Sequence, residues 1–168
     1  MTYFLDFDRT IFDMDRLYPI LFARPEFSDV SALISSTGAH EGARFFSKRL
    51  ANGTFSFAGG ELSPFLFSDV QNFLLVQPSV IITHGFENWQ RAKVESAFNG
   101  LPPVPILYTE LEEKGPALAR VASEYRQPHI FVDDDAVQLD SVAHMMPTIQ
   151  VFEMRRDGKD GYWQQGRL

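Results

Sequence analysis

Two aspartates stand two residues apart near the amino terminus, where the apolar run Thr2–Phe7 passes into polar sequence. In a continuing strand Asp6 and Asp8 would share one face, and at a turn both carboxylates could point to one position. Two carboxylates about 4 Å apart repel each other by about 4 kcal/mol in an effective dielectric of about 20, so they need a cation or a shared proton. A structural interpretation is equally open, because Asp8 and Thr10 are also typical of turns and helix caps.

A second acidic cluster lies further along the chain, directly after an apolar run at 130–132. It consists of Asp133, Asp134 and Asp135. Capping accounts for one or two aspartates after a strand, but poorly for three. Since parallel strands end at the same edge of a sheet, Asp6, Asp8 and Asp134 are expected to meet there around a hard cation such as Mg²⁺. Asp133 and Asp135 are expected either to support those ligands or to be solvated.

The apolar run at 79–83 also passes into polar residues. Thr83, His84 and Gly85 offer a hydroxyl and backbone amides at the start of a predicted helix, which is a suitable cradle for an anion. Thr83 fits a helix cap equally well, and the two roles are compatible.

Two lysines are candidates for a cation beside these groups. Lys114 stands just before the helix that Pro116 is expected to open, where a positive charge opposes the helix dipole. Its unfavourable place makes it the more suggestive of the two. Lys93 falls in the middle of another predicted helix, one turn beyond Trp89, and a solvated or snorkelling side chain is expected there.

Five apolar runs predict the strands that would position these residues. They cover residues 2–7, 79–83, 104–108, 129–132 and 148–152. Their apolar residues are consecutive rather than alternating, which is typical of parallel strands covered on both faces. Helical patterns at 86–98, 116–125 and 136–146 separate the later strands. This succession predicts an α/β fold with an open, Rossmann-like doubly wound parallel sheet and right-handed crossovers.

The stretch from 14 to 70 interrupts the alternation of strands and helices. It has no convincing strand, but it has helical patterns at roughly 16–23, 27–36 and 40–50. We therefore divide the chain into an α/β core formed by 1–13 and 71–152, a helical insertion at 14–70, and a tail or hairpin at 153–168. The insertion is either a small helical cap over the site or an elaborated crossover, and both are open.

The set of residues resembles the four motifs of the haloacid dehalogenase (HAD) superfamily of phosphatases and phosphotransferases. The matching segments are Asp6-Phe7-Asp8-Arg9-Thr10, the strand-ending Thr83, Lys114 at a helix start, and Asp133-Asp134 after the fourth strand. Their order and spacing agree over residues 3–151, apart from the insertion. A further acidic residue that often follows the fourth motif has no counterpart here at the usual spacing.

The resemblance implies a HAD-like core with a small cap after the first strand, and a Mg²⁺-dependent phosphatase. Asp6 would be the nucleophile that forms an aspartyl-phosphate, and Asp8 the general acid and base. Mg²⁺ would be held by Asp6, Asp134 and the backbone carbonyl of Asp8, with Asp133 beside these ligands. Relatives that remove halide lack the second aspartate, so Asp8 favours phosphoryl transfer to water.

The resemblance also implies which groups bind the phosphate. Thr83 and Lys114 would stabilise its charge, with His84 and Gly85 next to it at the end of the same strand. The alternative functions are a noncatalytic or regulatory binding protein of this fold, and a phosphotransferase of the same superfamily. A phospho-acceptor signalling domain fits the closely spaced pair Asp6 and Asp8 poorly.

Composition limits the partners and the location. Lys and Arg number 15 against 22 Asp and Glu, a net charge of −7, which is unlike nonspecific nucleic-acid binders and proteins that bind anionic membranes. The chain has no cysteine, so disulfides, thiolate metal sites and cysteine nucleophiles are excluded. No targeting or membrane segment is apparent. The sequence predicts a cytoplasmic monomer or homodimer acting on a small phosphorylated metabolite.

Overall fold

The computed structural model describes residues 1–27, 39–156 and 162–165, and these ranges form a sheet of six strands with helices on both faces. The strands are β1 (Thr2–Asp6), β2 (Ser79–Thr83), β3 (Ile106–Tyr108), β4 (His129–Asp133), β5 (Gln150–Arg155) and β6 (Tyr162–Gln165). Their spatial order is β3-β2-β1-β4-β5-β6. The first five strands are mutually parallel, and β6 pairs antiparallel with β5 at the edge.

Six α-helices connect or flank these strands in the described ranges. They are α1 (Met14–Phe22), α2 (Ala39–Ala51), α3 (Ser68–Val76), α4 (Glu87–Ala97), α5 (Lys114–Val121) and α6 (Ala136–Met145). Short 3₁₀ turns occupy 25–27, 63–65 and 122–124. None of the helices in the described ranges has the length and apolar character that a membrane span requires.

The central strands are apolar on consecutive positions because each face of the sheet has its own helical layer. Phe4 of β1 and Ile82 of β2 belong to a core that includes Leu118 of α5. Leu5, the next residue of β1, belongs to a second core on the other face that includes Trp89 of α4. The predicted doubly wound parallel sheet is therefore confirmed, and residues that alternate along a strand pack in different cores.

The predicted helical insertion after the first strand is also present. Its helices α1 and α2 correspond to the patterns expected at roughly 16–23 and 40–50, whereas most of the pattern at 27–36 lies outside the described residues. Phe46 of α2 is fully buried and stacks on Trp89 of α4, with ring centroids 4.9 Å apart. This stacking fixes α2 on the core. The exact boundaries between core, insertion and tail stay a prediction.

Helices α5 and α6 lie unusually close together at Gly115. A Cβ atom on Gly115 would lie 2.6 Å from the backbone carbonyl carbon of Ser141 in α6. The missing side chain therefore allows the two helices to touch, and this contact sets the position of the neighbouring Lys114.

Replacing Gly115 by alanine should lower the free energy of unfolding by about 1 to 3 kcal/mol, the usual cost of overpacking. Helix propensity alone predicts a higher free energy of unfolding for the alanine variant, since alanine is favoured over glycine in a helix by about 1 kcal/mol. Urea unfolding measures the difference. Ala119→Gly, at an exposed position of α5, is the control for propensity alone. A Gly115→Ala protein more stable than wild type would contradict the close contact.

Candidate active site

Strand pairing brings three of the predicted site residues together at the carboxyl edge of the sheet. Asp6, the last residue of β1, pairs with Ile82 of β2, so Thr83 is the next residue along that neighbour. On the other side Leu5 pairs with Val132 of β4, which places Asp133 level with Asp6. The register of a parallel sheet thus accounts for this convergence, as the sequence predicts.

The carboxylates of Asp6, Asp133 and Asp134 form one compact acidic group. One oxygen from each lies within 4.8 Å of the others. Burial, reinforced by the charge of Asp133, raises the pKa of Asp6 well above its usual value. Burial also raises the pKa of Asp133, and burial together with Asp133 raises the pKa of Asp134 to about 6. Burial therefore penalises the charged form of all three carboxylates.

Lys114, the first residue of α5, lies between two of these carboxylates. Its ammonium group is buried and donates to Oδ1 of Asp6 and, at 2.6 Å, to Oδ2 of Asp133. Burial alone would lower the pKa of Lys114, but the two carboxylates outweigh it and raise that pKa. The backbone amide of Lys114 donates to the side chain of Gln138 in α6 at 2.9 Å, which fixes the start of the helix.

The acidic group is suited to a divalent cation. Its donors are carboxylate oxygens, the ligands that Mg²⁺ prefers. Asp133 already accepts from Lys114 through Oδ2 and from the backbone amide of Asp135 at 2.9 Å through Oδ1. Asp6 and Asp134 are therefore the better placed of the three to bind an ion. Asp135 instead caps α6, since its Oδ1 accepts from the amide of Val137.

Thr83 ends β2, the strand beside Asp6, and its hydroxyl is unused within the described residues. The side chain is 1 % exposed, and within the described residues its Oγ1 has no hydrogen-bond partner. A buried hydroxyl without a hydrogen-bond partner costs free energy, so a bound anion that accepts a hydrogen bond from Thr83 would remove this cost.

The two residues after Thr83 are occupied by other contacts. The backbone amide of Gly85 donates to the carbonyl of Glu110, so this amide is not available to an anion in this conformation. The ring nitrogen Nδ1 of His84 lies 3.0 Å from the carbonyl of Glu112. These contacts join the loops after β2 and β3, and they indicate a structural contribution from His84 and Gly85 to the edge of the site.

Asp8 lies outside the acidic group. Its carboxylate accepts from Lys93, with Nζ 2.6 Å from Oδ2, and from the amide nitrogen of Gln90 at 2.9 Å. β1 ends at Asp6, so the chain turns before Asp8 and directs this carboxylate towards α4. The two aspartates of the pair therefore have different neighbours, and the expected meeting with Asp134 involves Asp6 but not the side chain of Asp8.

The interpretation of Lys93 as a solvated side chain is wrong. Lys93 is fully buried, and its ammonium group lies 5.5 Å and 5.2 Å from the ring centres of Phe7 and Trp89. Burial lowers its pKa, and the neighbouring Asp8 opposes that effect. Within the described part of the chain, the pair with Asp8 is the only ion pair that Lys93 forms.

The sequence contained a signal for this buried lysine. Trp89, Lys93 and Ala97 are spaced by four residues, so Lys93 lies on the stripe of α4 that faces the core. Gln90 lies next to this stripe and is also buried. Polar residues within an otherwise buried helix face are candidates for a site.

An arginine from the end of β5 fixes the loop that carries Asp8. The guanidinium group of Arg156 donates to the carbonyl of Thr10 at 2.6 and 3.0 Å, and its Nη1 donates to both carboxylate oxygens of Asp69 in α3. It also lies over the ring of Phe67, 4.1 Å from its centre. Within this loop Arg9 has a φ of 60°, an unfavourable conformation for a side chain with a Cβ.

No family model matches the chain, and no curated protein matches it significantly. Among solved structures, a Burkholderia xenovorans protein described as a haloacid dehalogenase-like hydrolase superposes with a TM-score of 0.51 at 15 % identity, covering 89 % of this chain and 80 % of its own. The Unknown transcript 4 protein of Saccharomyces cerevisiae superposes with a TM-score of 0.48 at 11 % identity, covering 89 % of this chain and 88 % of its own. The HAD domain of a Legionella pneumophila effector, an inactive mutant, superposes with a TM-score of 0.46 at 15 % identity, covering 93 % of this chain and 86 % of its own. The Burkholderia structure and the strand order show the HAD-like hydrolase fold, which confirms the predicted resemblance for the fold.

Replacing Asp8 by alanine should lower the free energy of unfolding by about 2 kcal/mol, because the buried ammonium group of Lys93 then has no carboxylate partner. Breaking a fully buried ion pair costs about 3 to 5 kcal/mol, and Asp8 is partly exposed, so water reduces the loss. Chemical denaturation measures the effect. The matched control is Asp15→Ala, whose pair with Arg9 is exposed and worth less than about 1 kcal/mol. The double variant Asp8→Ala/Lys93→Met should regain most of the loss, and no recovery would contradict the pairing.

Proposed function

We propose that the protein is a Mg²⁺-dependent phosphomonoesterase that acts through an aspartyl-phosphate on Asp6. The observation that carries the proposal is the buried contact of Asp6 with Lys114, inside an acidic group completed by Asp133 and Asp134. An anionic nucleophile, a fixed cation and donors for a second cation are the requirements of phosphoryl transfer to a carboxylate. The HAD-like fold supports the proposal, since it places these groups at the carboxyl edge of the sheet.

In the first step a carboxylate oxygen of Asp6 attacks phosphorus, and the bond between phosphorus and the ester oxygen breaks. Asp8 gives a proton to the departing oxygen, which leaves as an alcohol. In the second step Asp8 takes a proton from a water molecule whose oxygen attacks the same phosphorus. The bond between phosphorus and Asp6 then breaks, which releases orthophosphate and restores the Asp6 carboxylate.

Lys114 and Thr83 act on the charge of the phosphoryl group during both steps. The ammonium group of Lys114 is already held beside Asp6, and the unpartnered Thr83 hydroxyl can donate to a phosphoryl oxygen. Asp6 and Asp134 would hold Mg²⁺, with Asp133 orienting Lys114 beside them. When bound, the metal ion supplies positive charge that lets an anionic ester approach an acidic site.

The substrate class follows from charge and from the second aspartate. The chain has a net charge of −7, so an anionic substrate is attracted only where local cations reverse the field. A small phosphorylated metabolite fits a site with one buried lysine and one metal ion. Asp8 favours water as the acceptor over removal of halide, and a phosphotransferase would differ only in its second acceptor.

Hydrolysis of p-nitrophenyl phosphate tests the activity. Turnover is expected with Mg²⁺, to be lost with EDTA, and to fall by at least about 10³-fold in Asp6→Asn, because an amide is a poor nucleophile. Asp6→Asn should keep its fold, since Lys114 retains Asp133 and one repelling charge is removed. Asp140→Asn, at an exposed position of α6, is the matched control and should keep wild-type turnover. Full activity in Asp6→Asn would contradict the assignment of the nucleophile.

Metal binding can be measured without turnover. Isothermal titration of the protein with MgCl₂ should show one site, and Asp134→Asn should weaken that binding by at least about tenfold, because it removes a charged oxygen ligand. Asp140→Asn again serves as the control. Equal affinities for wild type and Asp134→Asn would contradict the proposed metal site.

A further inference from the structure

We infer that Lys93 and Gln90 of α4 are positioning residues for Asp8, and that they hold its carboxylate where it accepts a proton from the water that hydrolyses the aspartyl-phosphate. This inference rests on the proposed function and adds two residues to it. Neither residue belongs to the segments that resemble the superfamily motifs. Both act on the reaction only through Asp8.

Lys93, which is itself out of contact with solvent, binds the Asp8 carboxylate from the protein interior. Its ammonium group donates to both carboxylate oxygens, and the distance to Oδ2 is 2.6 Å. The sulfur of Met14 lies 3.4 Å from the same ammonium group, and the ring centre of Phe12 lies 5.9 Å from it. A two-oxygen contact of this kind fixes both the position and the rotation of the Asp8 carboxylate.

Gln90 forms a second contact with Asp8 and links it to His84, the residue after β2. Its Nε2 lies 2.9 Å from Oδ2 of Asp8 and 2.9 Å from the backbone carbonyl of His84. Both partners are acceptors, so the amide must present its NH₂ group to them, and its orientation is defined. A Cβ on Gly85 would lie 2.8 Å from Nε2, so glycine at that position allows the close approach.

Stability does not explain why a lysine stands at position 93. A buried ion pair is often no more stabilising than apolar residues of the same volume, because both charges lose their hydration. Methionine has a similar length and would pack well among Phe7, Phe12 and Trp89. The charge of Lys93 has one clear effect, which is to hold the partly exposed Asp8 carboxylate against α4.

The hydrolysis step uses this arrangement directly. Water attacks the phosphorus of the aspartyl-phosphate, the proton of the water passes to the Asp8 carboxylate, and the bond to Asp6 breaks. Asp8 must be correctly placed when the water binds, and the contacts with Lys93 and Gln90 hold its carboxylate in one place. Proton removal by a positioned group contributes about 10²- to 10⁴-fold to such a step.

The test compares Lys93→Met with wild type on p-nitrophenyl phosphate and Mg²⁺. This leaving group needs no proton, so kcat/KM reports formation of the aspartyl-phosphate, whereas kcat includes its hydrolysis. We expect kcat to fall by about 100-fold, kcat/KM to change by less than about tenfold, and KM to fall with kcat. A burst of one equivalent of p-nitrophenolate should precede the slow steady state. Lys48→Met, the same change at an exposed lysine of α2, should behave as wild type.

A purely structural role for Lys93 would give a different result. Equal losses of kcat and kcat/KM without a burst would overturn the inference. Gln90→Leu, which changes no charge, should give the same separation of kcat from kcat/KM in weaker form, and it serves if Lys93→Met does not fold. Unchanged kcat in both variants would also overturn it.

A crystal structure of Lys93→Met distinguishes failure of this inference from failure of the proposed function. If wild type releases no p-nitrophenolate, the proposed phosphatase is wrong, and the position of Asp8 then decides only whether Lys93 holds this carboxylate. The Asp8 carboxylate should leave its contact with Gln90 and turn towards solvent. An unchanged Asp8 carboxylate in Lys93→Met would show that Lys93 does not position it.

Discussion

The carboxyl edge of the sheet depends on one ammonium group, that of Lys114 between the buried carboxylates of Asp6 and Asp133. Strand pairing forces these two aspartates together, and their repulsion in a medium of low polarity would otherwise oppose folding of the sheet. Lys114 is the first residue of α5, and this helix lies directly against α6 at Gly115. Helix packing, strand register and site electrostatics are thus parts of one constraint. Burial is the main cause that raises the pKa values of Asp6 and Asp133, and the charge of Lys114 opposes it.

The fold and half of the site could be predicted from the sequence because they follow from local patterns. Consecutive apolar residues predict strands covered on both faces, and the residue after such a strand must lie at the sheet edge. This argument places Asp6, Thr83 and Asp133 correctly without any knowledge of side-chain packing. The position of Lys114 followed from its place at a helix start, which the structure also shows.

The surroundings of Asp8 could not be predicted, because they depend on contacts between distant parts of the chain. Lys93 and Asp8 are 85 residues apart, and a lysine in the middle of a helix is usually solvated. The strand ends at Asp6, so the two-residue spacing of the pair does not place both carboxylates on one face. The occupied amide of Gly85 depends in the same way on the loop after β3, which no pattern near Gly85 indicates.

Asp6 and Asp8 have different surroundings because helices on opposite faces of the sheet supply their lysine partners. Asp6 is held by Lys114 of α5, whose Leu118 packs in the core of one face. Asp8 is held by Lys93 of α4, whose neighbours pack in the core of the other face. A nucleophile needs a carboxylate beside cations that also stabilise the phosphate, whereas a proton-transfer group needs a fixed place near the attacking water. In the proposed reaction these two requirements would be met independently, because Lys114 and Lys93 come from separate layers and give the two carboxylates different environments.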